Sequence, residues 1–217
     1  MVNISDIKEK ARLLNLQNIA NGIIDITNYS EGNLKFLNEI FEQELSIRKN
    51  NKIIRFLKAS EIPKINFIFN ELPKVLIWQI ERLLEFDFIE NSENLFLIGK
   101  CNTGKTSLAA YIGRKAIEKG YKGVYIKTDE LLSNNKKTQI LNDMDLIIID
   151  DIMYMPLTDE QLQFFYRKLI FLNESRSIIF ITNRELSEWI EVSSDKHLMQ
   201  TMLSRLLLNS QTLRLGD

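Results

Sequence analysis

The sequence is short of the residues that staple or punctuate a chain. It has one cysteine (Cys101), one histidine (His197), three prolines and eight glycines. A single cysteine excludes an internal disulfide and fits a reducing compartment. With so few cysteines and histidines, a zinc-type centre has no ligands to draw on, and His197 is expected at a surface or helix end. No apolar run approaches the ~18 residues needed to span a bilayer. The first residues, Met1-Val2-Asn3-Ile4-Ser5-Asp6-Ile7-Lys8-Glu9, lack the apolar stretch of a secretory leader, so a cytoplasmic location is expected. Charge of one sign is missing too. The 28 Lys and Arg nearly balance the 29 Asp and Glu, for a net charge of −1. Any nucleic-acid binding must therefore come from a local patch. What remains is an ordinary globular composition, 45% hydrophobic and 26% charged over 217 residues. That length suits one sizeable domain plus a small one.

The chain falls into two patterns. Residues from about 5 to 60 read as helical, with no strand-like alternation. Leu34, Leu37, Phe41 and Leu45 recur at steps of three and four and form one apolar face, which Ile53, Ile54 and Leu57 continue. Pro63 and Pro73 then punctuate the chain, giving a helical N-terminal domain over 1–62 and a second domain over 63–217. Residues 71–88 read as one helix. From Asn94 the pattern becomes strand and helix in alternation. Strands are expected at 94–98, 123–127, 145–150 and 177–181, with a short terminal run at 212–215. Helices are expected from Lys105 to Gly120, from Thr158 to about Asn173, over 184–189 and from about 195 to 208. Thr158 and Gln161 form a capping box. Trp78 and Trp189 are expected to pack. Strands separated by helices imply an α/β fold, a parallel sheet with helices on both faces.

The chemistry concentrates in the second pattern. Gly99-Lys100-Cys101-Asn102-Thr103-Gly104-Lys105-Thr106 has the form G-x-x-x-x-G-K-T, after the apolar run Leu95-Phe96-Leu97-Ile98 and before a helix. In that context the loop's N–H groups and the helix N-terminus converge on an anion. Lys105 adds a full charge for the terminal phosphates, and the Thr106 hydroxyl can ligate Mg²⁺. Asn102 stands where many such loops carry glycine, and Asn tolerates positive φ. Cys101 reads as a small filler in a variable position. Asp150 and Asp151 end the strand Leu146-Ile147-Ile148-Ile149, where a parallel sheet opens to its ligand crevice. Asp150 is assigned to metal and Asp151 to polarising the attacking water, because adjacent strand residues point to opposite sides. Asn183 either orients water against the terminal phosphate or caps the helix after it. Arg205 is either a surface arginine or one offered to a neighbouring subunit's nucleotide. Arg48, Lys49, Lys52, Arg55 and Lys58 form a basic run without an intervening acid, either a solvated face or a phosphate-contacting patch.

These motifs, in this order, resemble those of AAA+ ATPases, and more narrowly the IstB-like ATP-binding proteins of insertion sequences, whose relatives are the DnaC/DnaI-type helicase loaders. The lead into the phosphate loop from Phe88 to Gly99, the segment Asp150-Asp151-Ile152-Met153-Tyr154-Met155-Pro156-Leu157, the segment Ile181-Thr182-Asn183-Arg184-Glu185-Leu186-Ser187-Glu188-Trp189 and the run Ser204-Arg205-Leu206-Leu207 carry the resemblance. The helical N-terminal part, 42–58 included, is similar as well. The resemblance implies a P-loop NTPase of the AAA+ type, with ATP and Mg²⁺ as cofactors. It implies a DNA-dependent ATPase that assembles side by side on duplex DNA and serves a partner transposase; the alternative is a loader of a replicative helicase. Nucleotide would be held by residues 99–107, Ser107 included, with Thr106 and Asp150 at the metal. Lys105, Asp151, Asn183 and Arg205 would act in hydrolysis, Asn183 sensing the terminal phosphate and Arg205 completing a neighbour's site. The preference for ATP over GTP comes from the resemblance alone. The family usually carries a further arginine shortly after the last strand. None follows Leu215-Gly216-Asp217 here, so weakened turnover is expected.

Overall fold

The computed structural model describes residues 3–69, 72–133 and 136–216. The chain divides into two compact units, Met1–Arg55 and Phe56–Asp217. The division falls inside a long helix, whereas the sequence reading set it at residue 62, next to Pro63.

The first unit holds α1 (Ile4–Leu13), α2 (Gln17–Ala20) and most of α3 (Glu31–Ala59). Asn3 caps α1 by accepting the Ser5 N–H. The helical expectation is interrupted between α2 and α3. There Gly22 takes φ 75 and the Asp25 side chain accepts the Thr27 N–H at 2.9 Å, a turn built by the side chain itself. Ile7, Ala11, Leu14, Leu34 and Phe41 form the core, with Leu37 and Leu45 packed against it. The predicted apolar face of α3 is therefore the buried one. It does not continue as expected, because Ile54 is 61% exposed.

In the second unit, α4 (Lys74–Leu83) and α5 (Asp87–Glu90) precede β1 (Asn94–Gly99), α6 (Lys105–Lys119), β2 (Gly123–Lys127), α7 (Thr128–Leu132) and α8 (Lys136–Ile140). Then come β3 (Leu146–Asp150), α9 (Asp159–Asn173), β4 (Ser177–Thr182), α10 (Leu186–Val192), α11 (Lys196–Leu207) and β5 (Ser210–Leu215). The single helix expected over 71–88 is two. Glu71 lies outside the described residues, Pro73 is extended at ψ 140 and starts α4, and Phe86 at φ 69 separates α4 from α5. Trp78 is 58% exposed and does not pack as expected, whereas Trp189 is fully buried. The segment between β2 and β3, for which the sequence offered no pattern, forms α7, α8 and a 3₁₀ turn.

The strands form one five-stranded sheet in the order β2-β3-β4-β1-β5, with every pair parallel. A parallel sheet is covered on both faces, which is why β1, β3 and β4 are nearly continuous apolar runs. On one face lies α6. Gly113 lets it approach so closely that a Cβ there would stand 2.7 Å from Ile148 Cδ1. On the other face Phe96, Ile147 and Phe180 pack with Trp189, Met202 and Leu206, and Phe96 stacks on Phe180 at 4.7 Å. The chain order changes direction at β1, so the C-terminal ends of β1, β3 and β4 open to one crevice, where ligands bind in such sheets. Among the described residues no helix is long and apolar enough to cross a membrane.

Gly99 closes β1 under a close approach. A Cβ built there would lie 2.2 Å from the Leu215 carbonyl oxygen, a backbone atom that cannot swing away. Gly99→Ala is therefore expected to strain the β1–β5 pairing and cost about 2–3 kcal/mol. A fall in melting temperature of roughly 5–10 °C would register it.

Candidate nucleotide site

The loop from β1 into α6 is shaped by three positive-φ backbone positions. Asn102 takes φ 64, Gly104 takes φ 88 and Gly99 ends the strand. Asn102 thus sits in the conformation that a glycine usually supplies, and it can do so because its short polar side chain tolerates that region. Lys105 starts α6 and turns back into the loop, 5% exposed. Its ammonium donates to the carbonyls of Gly99 at 2.7 Å and Lys100 at 2.6 Å, and stands 3.4 Å from Thr103 Oγ1. Burial pushes the Lys105 pKa below the ordinary lysine range, opposed in part by the nearby carboxylates of Asp150 and Asp151.

Asp150 ends β3 facing this loop. It is 5% exposed, and its Oδ2 accepts from the Thr106 hydroxyl at 2.9 Å and from the Tyr125 hydroxyl at 2.7 Å. Its Oδ1 accepts the Asp151 N–H at 2.8 Å, and its backbone carbonyl accepts the Thr128 hydroxyl at 3.0 Å. Burial, then the bond to Asp150, pushes the Tyr125 pKa far above its usual value, so the phenol stays a proton donor. Asp151 leaves the strand at φ 56, with its side chain 48% exposed and 3.5 Å from the Lys127 ammonium. The two carboxylates differ in place, as expected, but for another reason. The turn into the left-handed region, rather than strand alternation, sends Asp151 outward.

A cleft of about 720 Å³ joins these groups, a size usual for small-molecule sites. Cys101, Asn102, Thr103, Gly104, Lys105, Thr106 and Ser107 line it, as do Asp150, Asp151 and Asn183. Gly99 and Lys100 stand behind it, contributing the carbonyls that hold Lys105. Asn183 does not cap the next helix. Helix α10 begins two residues later than expected, at Leu186, and Glu185 and Glu188 form its capping box. Thr182 binds back to the Arg184 N–H at 3.1 Å and accepts from Trp189 Nε1 at 3.2 Å, which fixes the backbone around Asn183. Arg205 lies outside its own cleft. It is exposed on α11, with its guanidinium 5.9 Å from the Tyr166 ring centre. The basic run lies on α3 with Arg48, Lys49, Lys52, Arg55 and Lys58 all exposed, and Arg48 pairs with Glu44 at 2.7 Å. His197 is exposed near the start of α11, and Cys101 is exposed.

Arg184, Glu188 and Tyr125 were not singled out from the sequence. Arg184 and Glu188 line the cleft, and Arg184 Nε donates to the Met153 carbonyl at 3.0 Å, joining the segment after β4 to the turn after β3. Tyr125 stands behind the lining and contributes through its bond to Asp150. Its only signal is a hydroxyl-bearing ring inside the apolar strand Val124-Tyr125-Ile126.

The donors suit magnesium. Thr106 and Asp150 offer adjacent oxygens, the ligand type that a hard cation takes. Among the described residues no group of three or more His, Cys, Asp or Glu side chains could hold a metal alone. Magnesium commonly binds through one or two protein oxygens together with nucleotide phosphates, so the residues present fit it.

Fold and cleft define a P-loop NTPase. The family model for IstB-like ATP binding protein matches residues 10–217, and the chain belongs to that family. It is 30% identical over 212 residues to the ATP-binding protein of insertion sequence IS232 from Bacillus thuringiensis subsp. berliner, covering 89% of this chain and 85% of that one. It is also 30% identical over 202 residues to the ATP-binding protein of insertion sequence IS21 from Pseudomonas aeruginosa, covering 87% of this chain and 75% of that one. Among solved structures it resembles DnaI with a TM-score of 0.58 at 15% identity, covering 75% of this chain and 93% of that one, which is a likeness of fold.

Proposed function

We propose that this chain is a DNA-dependent ATPase that assembles side by side on duplex DNA and assists a transposase in choosing its target. The observation that supports this most is the convergence of Lys105, Thr106, Asp150, Asp151 and Asn183 on one cleft. In this reading the loop amides and Lys105 bind the phosphates, and Thr106 and Asp150 hold Mg²⁺. When bound, the cation neutralises charge on the phosphates. Asp151, exposed to the cleft, polarises the attacking water, and the Asn183 amide orients it. Arg205, exposed and outside the lining of its own cleft, serves the site of the next subunit. The exposed basic run on α3 contacts DNA phosphates. The curated relatives come from insertion sequences, which supports a transposase as the partner over a replicative helicase.

ATP hydrolysis measured with and without duplex DNA, alongside particle size, tests the reading. Stimulation by duplex and ATP-dependent growth of the particle are expected. Absence of hydrolysis in both conditions would overturn it, and stimulation by single strands with capture of a replicative helicase would favour the loader instead. The triple change Lys49→Glu, Lys52→Glu and Lys58→Glu is expected to weaken duplex binding roughly a hundredfold at moderate salt and to flatten its salt dependence. Hydrolysis without DNA should stay as it was.

A further inference from the structure

Tyr125 belongs to none of the nucleotide-binding motifs, yet the sheet aims it at them. In the parallel pairing of β2 with β3, Tyr125 stands opposite Ile148 and Lys127 opposite Asp150. Residues two apart on a strand share a face, so Tyr125, Ile148 and Asp150 lie on the same face of the sheet. The diagonal from Tyr125 to Asp150 is within the reach of an aromatic side chain. The backbone of Tyr125 is anchored by its N–H, which donates to the Ser60 carbonyl at 2.8 Å on the free side of β2.

The carboxylate it meets accepts three hydrogen bonds. Oδ2 accepts two hydroxyls, from Tyr125 at 2.7 Å and Thr106 at 2.9 Å, and Oδ1 accepts the Asp151 amide. A ring used only for packing would need no hydroxyl here, and phenylalanine does that work elsewhere in the sheet, at Phe96 and Phe180. A buried hydroxyl costs free energy unless paired, and this one is paired with the carboxylate assigned to the metal.

We propose that Tyr125 is a positioning residue of the magnesium–nucleotide site, its hydroxyl holding the Asp150 carboxylate against Thr106 so that the cation meets preset oxygens. This rests on the ATPase reading above. Groups of this kind, one step removed from a metal, commonly change its affinity 10–100-fold when altered.

Tyr125→Phe tests it, because it keeps the ring and removes the hydroxyl. Binding of a fluorescent ATP analogue would be measured first in EDTA and then during a MgCl₂ titration, with the melting temperature recorded. The expected result is unchanged affinity in EDTA and a Mg²⁺ midpoint raised about tenfold, recovered at high Mg²⁺. An unchanged Mg²⁺ midpoint overturns the proposal. So does a variant that unfolds or loses binding in EDTA as well, because the hydroxyl would then serve the fold. A wild-type chain whose nucleotide binding ignores Mg²⁺ overturns the ATPase reading itself, and the proposal with it.

Discussion

Lys105→Ala is expected to lower ATP affinity about a hundredfold and to leave the chain folded. Lys105 is 5% exposed, and its ammonium donates to two loop carbonyls, at 2.7 and 2.6 Å. It is therefore already placed at the centre of the loop. A charge-assisted hydrogen bond to phosphate contributes about 1.5–3 kcal/mol, and the upper end corresponds to roughly two orders of magnitude in binding. The fold loses much less. Burial lowers the Lys105 pKa, so below that depressed value the charged ammonium opposes folding, and alanine removes this cost along with the two hydrogen bonds. The Lys100 carbonyl also keeps the Thr103 hydroxyl as a donor at 2.9 Å. A melting temperature within about 3 °C of wild type is expected. Titration calorimetry with ATP and Mg²⁺ measures the affinity. Retained tight binding would mean that the loop amides carry the phosphate alone.

The phosphate loop and the strands beside it were legible because each depends on local chemistry. A G-x-x-x-x-G-K-T run after four apolar residues has few other uses, and a parallel strand buried on both faces must read as Leu146-Ile147-Ile148-Ile149 does. Asn102 was readable for the same reason, since its backbone demand at φ 64 is met by its own side chain. What was not legible depends on partners distant in sequence. Phe86 at φ 69 breaks the expected helix with no glycine to announce it, and its ring, 3% exposed, packs 5.7 Å from Tyr121. Burial of that ring offsets the backbone strain, a trade that sequence pattern does not show.

The same limit applies within the cleft. Asn183 left two readings open because an amide after a strand serves equally well as a cap. Glu185 takes the cap position instead, its N–H donating to Glu188 Oε2 at 3.2 Å, and a glutamate there carries none of the usual signal of a cap. Tyr125 meets Asp150 only through the parallel register of β2 and β3, which no local window contains. Exposure of Ile54 and Trp78 was hidden likewise, because helical periodicity marks an apolar face without saying whether anything covers it.

Asp151→Asn is expected to cut ATP turnover by about 10²–10⁴, the range for loss of a positioned general base, with ATP affinity kept within about twofold. The separation follows from placement. Asp150 is buried and bonded to Thr106, so its loss should weaken Mg²⁺-supported binding. Among the described residues the Asp151 side chain pairs with Lys127 rather than with the loop, lines the cleft and is 48% exposed. Its φ of 56 is a conformation that Asn adopts as readily as Asp, so the substitution removes the charge and leaves the backbone in place. Lys127, 3.5 Å away and 57% exposed, does not lock the carboxylate, because exposed pairs of this kind contribute little. The carboxylate therefore stays available to water. Single-turnover hydrolysis alongside equilibrium binding separates the two effects. Full turnover by Asp151→Asn would move the task of polarising water to another residue of the cleft, and Glu188 would be the next carboxylate to test.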